Sequence, residues 1–101
     1  EMQKAADDIN VVRSRAHAKP VATSDVSIDY LLDERIRELY TEEMRDVVLR
    51  RTGKFLECLR KYNDNPQAPG MNVKDHNILW PIPQTEIDAT GGTLTQNPGY
   101  N

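Results

Sequence analysis

"LLDERIRELYTEEMRDVVLRRTGK" (Leu31–Lys54) carries the period that decides the fold of this 101-residue chain. Ile28, just ahead of it, and Leu31, Leu32 and Leu39 recur so that, at about 100° per residue, they line one face of an α-helix. Ser24 or Ser27 stands before the stripe as a cap, its hydroxyl oxygen placed to accept an unpaired N–H of the first turn. Met44, Val47, Val48 and Leu49 restart an apolar face, which Gly53 in "RTGK" punctuates. Phe55, Leu56, Leu59 and Tyr62 then continue at helical spacing. The pattern predicts helices over 25–51 and 54–62.

One charge interrupts the stripe. Arg35 falls near its middle, with Glu42 beside it and Glu38 toward its edge. An unpaired buried guanidinium would cost several kcal/mol, so Arg35 is expected to be mostly buried and ion-paired, with Glu38 or Glu42 as first partner. A grip on an anionic ligand is the lesser reading. On exposed faces, Asp33 with Arg37 and Asp46 with Arg50 have the four-residue spacing of helical ion pairs.

Toward the N-terminus, Met2, Ala5, Ala6, Ile9, Val12 and Ala16 repeat at helical spacing and predict a helix over 1–18, stopped at Pro20. No capping Ser, Thr or Asp precedes it, so it reads as a helix cut from a longer chain.

Toward the C-terminus the period vanishes. Residues 63–101 read as an irregular tail, with turn chemistry in "YNDNPQAPG" and "TGG" and a type II turn at Asn97–Tyr100. Disorder goes with few large apolar residues, yet Met71, Val73, Ile78, Leu79, Trp80, Ile82, Ile87, Leu94 and Tyr100 are spread along it. The tail is therefore expected to be ordered coil laid back over the helices. In "LWPIPQTEI" (Leu79–Ile87) two prolines forbid a continuous helix or central strand and hold the chain extended. Trp80 and Ile82 are expected to dock into grooves. An exposed Trp80, stacking on sugar C–H groups, is the minor alternative. Three short helices offer too little surface for such a tail, so the chain is expected not to be self-sufficient.

Composition narrows the function classes. Charged residues make up 29% and apolar ones 38%, and the net charge of −3 argues against a nucleic-acid partner. No apolar run approaches a membrane span of about 18 residues. Cys58 is the single cysteine, so no internal disulfide forms, and its helical spacing beside apolar neighbours reads as packing. His17 and His76 lack a second His or Cys at ligand spacing. No phosphate-cradling glycine loop or nucleophile elbow is present. No catalytic residue, metal ligand or cofactor is assigned.

Four stretches, in order, resemble the C-terminal part of the SusD/RagB family. "INVVRSRA" (Ile9–Ala16) is similar to its N-x-VR-x-RA helix, and Leu31–Lys54 to its ILDERxREL…EExRxxDLxRTGK block. "HNILWPIPQTEI" (His76–Ile87) is similar to LxPIPxxEI, and "LTQNPGY" (Leu94–Tyr100) to the closing QNPGY. Asp46 departs from an aromatic often found there, and Val48 from an Asp.

The resemblance implies a mainly α fold, with 1–101 as the C-terminal part of a SusD-like domain. Its tetratricopeptide-like helices would be followed by a long coil packed back on them. It also implies non-catalytic capture of oligosaccharide nutrients and their delivery to a TonB-dependent, SusC-like transporter. The expected location is the outer-membrane surface, through a lipid anchor in an N-terminal remainder that also carries most glycan contacts. No ligand-binding residue is transferred to this chain. The alternative is a helical, tetratricopeptide-like module that binds other proteins.

Overall fold

The computed structural model describes residues 1–100. It is mainly α, as expected, with no strand among the described residues. The helices are α1 (Met2–Arg15), α2 (Ile28–Glu38), α3 (Arg45–Arg51), α4 (Phe55–Tyr62) and α5 (Gln84–Ala89). Short 3₁₀ turns lie at Thr23–Asp25, Gly70–Asn72 and Asp75–Ile78. The chain divides into two compact units, one over Glu1–Arg45 and one from Asp46 onward.

In the first unit, Ala6, Ile9 and Val21 form a small buried cluster, with Val26 and Tyr30 packed against it. The rest of the fastening is polar. The Asn10 carboxamide donates to Val21 O at 3.0 Å and accepts from Val21 N at 2.8 Å, pairing with that peptide as a neighbouring strand would. Arg13 Nε donates to Lys19 O at 2.7 Å, which ties the same loop to α1 again. The α1 helix ends at Arg15, earlier than the expected residue 18, and proline is not the cause. His17 adopts a left-handed φ of 52°, while Ala18 N bonds Arg13 O and His17 N bonds Ser14 O. That is a Schellman stop, closed by backbone hydrogen bonds before Pro20 is reached.

Ser27 caps α2, its hydroxyl accepting from Tyr30 N at 3.0 Å. The single helix expected over 25–51 is in fact two. After Glu38 the chain turns through Leu39 to Met44, with Thr41 at φ 70°, and restarts at Arg45. Tyr40–Glu43 supply no apolar core-facing side chain, so continued helix there would bury nothing. The turn instead brings Glu43 back beneath Arg35, and the Arg45 guanidinium donates to Leu32 O at 2.8 Å.

In the second unit, Val48, Leu49 and Phe55 are buried. The α3 helix closes through Gly53, whose φ of 71° permits the bonds Gly53 N to Arg50 O and Lys54 N to Leu49 O. From Asn63 the coil turns back, and the turns at Gly70–Asn72 and Asp75–Ile78 pack on α4. Gly70 is there for want of space: a Cβ would stand 1.8 Å from Leu59 O. The tail expected to be irregular throughout contains α5. Pro83 bars a helix only before itself, and at the N-cap its missing N–H is no loss. Gln84 Nε2 then donates to Asp88 Oδ1 at 2.8 Å across one turn.

Candidate functional site

Two features could meet a ligand, one in each unit. In the first unit, Ile9, Val12, Leu31 and Leu39 wall an open groove of about 410 Å³, with Arg35, Glu34 and Glu38 around it. Of its charged lining residues, Glu34, Arg35 and Glu38 are already paired. Arg13 Nη1 and Arg37 Nη1 both donate to Glu34 Oε2, at 2.6 and 2.7 Å, and Arg15 Nη2 donates to Glu38 Oε1. Arg37 thus bonds Glu34 in place of the expected Asp33.

Arg35 does meet a carboxylate, but neither of those expected. Its Nε donates to Glu43 Oε1 at 3.3 Å, because the break after α2 delivers Glu43 where a continuous helix would have placed Glu42. Arg35 is half-buried, with a side chain 35% exposed, whereas Glu43 is 7% exposed and its Oε2 is buried without a partner. The guanidinium offsets the burial of Glu43. That role keeps it from a free anionic ligand.

In the second unit the feature is the strap around "LWPIP". Its order comes from side chains that grip its backbone. Arg50 Nη1 donates to Asn77 O and Ile78 O, Tyr100 Oη to Leu79 O at 2.7 Å, and Asn97 Nδ2 to Trp80 O at 2.7 Å. Gln96 accepts from Ile82 N and donates to Ile82 O, both at 2.8 Å. The expected turn at Asn97–Tyr100 aims these groups: Tyr100 N bonds Asn97 O and Gly99 takes φ 92°. His76 meets the Tyr100 ring edge-on, with centroids 4.7 Å apart. Arg50 also pairs with Asp46 at 3.0 Å, as its spacing predicts, and lies 3.8 Å above the Phe55 ring.

Trp80 overturns the expectation of burial. It is 64% exposed, with Ile78 and Leu79 beside it also exposed. The strap did not need its aromatic side chain for docking, because hydrogen bonds to its carbonyls hold it down. On one side the ring faces the Arg50 guanidinium, 5.5 Å from the ring centroid. Ile82 is half-buried, closer to expectation.

Other candidates do not converge on chemistry. His17 serves the end of α1, His76 packs on Tyr100, and Cys58 is half-buried on α4. No group of three His, Cys, Asp or Glu that could hold a metal ion occurs among the described residues, and no helix there is long and apolar enough to cross a membrane.

The sequence matches the SusD family over residues 1–100. This chain belongs to the SusD family. No curated protein and no solved structure matches it. The stretches that carry the SusD resemblance have structural roles in this chain. Asn10 and Arg13 of "INVVRSRA" bind loop and α2, Glu34 and Glu38 receive the arginines of α1, and Gln96, Asn97 and Tyr100 of "QNPGY" clamp the strap. Sequence spacing held no sign of the clamp, since its partners lie 14 to 21 residues away.

Proposed function

We propose that this chain serves non-catalytic capture of glycan nutrients at the bacterial outer-membrane surface and their delivery to a TonB-dependent, SusC-like transporter. The single observation that carries this reading is the SusD family match along residues 1–100. Members of that family are generally binding proteins without catalysis, with a role in glycan uptake. The geometry is compatible with binding rather than bond breaking: Glu34, Arg35 and Glu38 of the α1–α2 groove are engaged in ion pairs, and Gln96 and Asn97 bond the strap's backbone.

The test is calorimetric titration of the protein with a panel of soluble neutral and acidic polysaccharides, followed by chromatography of the recovered glycan. One glycan class should bind saturably and return intact. Absence of binding across the panel, or appearance of shortened products, would overturn the reading. Affinity purification from native membranes should bring down a β-barrel transporter; its absence would remove the delivery step.

A further inference from the structure

We propose that Trp80 is a stacking platform for a pyranose ring, with the Asp46 carboxylate as a nearby acceptor for sugar hydroxyls; this rests on the glycan-capture reading. Trp80, 64% exposed, presents a large aromatic ring to solvent, where a flat ligand can reach it and regain the benefit of burial. The backbone that carries this ring is held firmly. Backbone atoms of Leu79, Trp80 and Ile82 are fixed by Tyr100, Asn97 and Gln96, and the prolines at 81 and 83 stiffen the chain around it. Little backbone entropy is left to lose when a flat ligand settles on the indole.

The chemistry beside the ring selects the ligand class. An indole face carries the negative part of the ring quadrupole, which attracts the weakly positive C–H groups on one face of a pyranose. Arg50 links the ring to Asp46: the guanidinium lies 5.5 Å from the Trp80 centroid and its Nε bonds both Asp46 oxygens, at 3.1 and 3.0 Å. Asp46 is 38% exposed and retains lone pairs for further donors. A sugar supplies both halves of the match, an apolar face for the indole and hydroxyls for the carboxylate.

Protein partners fit less well. A peptide cannot add to the strap as a strand, because the prolines lack N–H groups and the carbonyls of Leu79, Trp80 and Ile82 already accept side-chain donors. A dry protein interface over Ile78–Trp80 would have to desolvate the adjacent Asp46–Arg50 pair, which is costly without new hydrogen bonds.

Trp80 is the only tryptophan, so its fluorescence reports on this place alone. In the free protein its emission should be that of a solvated indole, open to acrylamide quenching. Titration with the glycan found in the binding panel should shift the emission to the blue and shield it from quencher. Trp80→Ala should weaken that glycan about tenfold or more by calorimetry, with unchanged circular dichroism, while Trp80→Phe retains most of the affinity. Glycan binding that leaves both the emission and the Trp80→Ala affinity unchanged would overturn the platform and spare the capture reading. Emission already blue and shielded in the free protein would also overturn it, because protein would then cover the ring. Failure of the wild-type protein to bind any glycan would end both.

Discussion

The two units solve one problem, fixing irregular chain against helix, with different bonds. In residues 1–45 the loop after α1 has a small apolar cluster beneath it, and ion pairs draw α2 to α1. From Asp46 onward the return chain buries little of its apolar content: Met71, Ile78, Leu79, Trp80 and Leu94 are all exposed. Its order comes from planar side chains, Arg50, Gln96 and Asn97, and from one phenol, each bonded to backbone. Apolar docking needs a groove large enough for each side chain, whereas a carbonyl clamp needs only a donor in register. A coil can therefore be held on short helices while an aromatic residue is left facing outward.

The sharpest way to break this comparison is at the closest backbone approach. Gly70→Ala puts a Cβ 1.8 Å from Leu59 O and 2.6 Å from Leu59 C, so the return chain must lift off α4. The expected loss is about 3 kcal/mol or more, read by denaturant unfolding, with hydrogen-exchange protection falling first around residues 63–78. If stability is unchanged, the coil is not seated on α4.

Removing the clamp's largest member tests it directly. Arg50→Ala deletes the bonds to Asn77 O, Ile78 O and Asp46 and the stacking on Phe55, with an expected cost of about 3 kcal/mol. Arg50→Lys should recover only a minor part, because an ammonium lacks the planar fork. Full rescue by Lys would mean that charge, not geometry, holds the strap.

In the first unit, Arg35→Ala removes the ion-pair partner of Glu43 Oε1 and strands a buried carboxylate whose Oε2 already lacks a partner. The expected loss is about 2 kcal/mol, and Glu43→Gln in the same background should restore most of it. Glu38→Gln and Glu42→Gln should not, which separates the observed pair from the ones that a straight helix would make.

The smallest effect is a pH dependence. Arg60 Nη2 donates to Asp75 Oδ1 at 2.6 Å, and this hydrogen bond, then the charge itself, holds the Asp75 carboxyl below its ordinary value. A lowered folded-state pKa contributes stability that is fully present above the unfolded value of about 3.9 and is lost as pH falls through the folded one. The contribution should be slight, since the carboxylate is exposed, and salt should screen it. Comparison of wild type with Asp75→Asn below pH 4 checks it: the two should converge in acid.

Local order was determined by the sequence alone where neighbours a few residues apart settle it. The helix at Ile28–Glu38, a serine cap before it, the Asp46–Arg50 pair and the turn at Asn97–Tyr100 are of this kind, whereas of the expected apolar stripe Leu32 is buried and Ile28 and Leu31 are exposed. The family, too, was legible in four short stretches, in agreement with the match over residues 1–100. Tertiary structure decided the rest. The break after α2 depends on Glu43 finding Arg35, and α5 on the residues after Pro83 rather than on the proline itself. Trp80 faces solvent because partners 14 to 28 residues away satisfy the strap's carbonyls first. Periodicity records which residues shun water; it carries no record of which distant donor reaches a backbone oxygen.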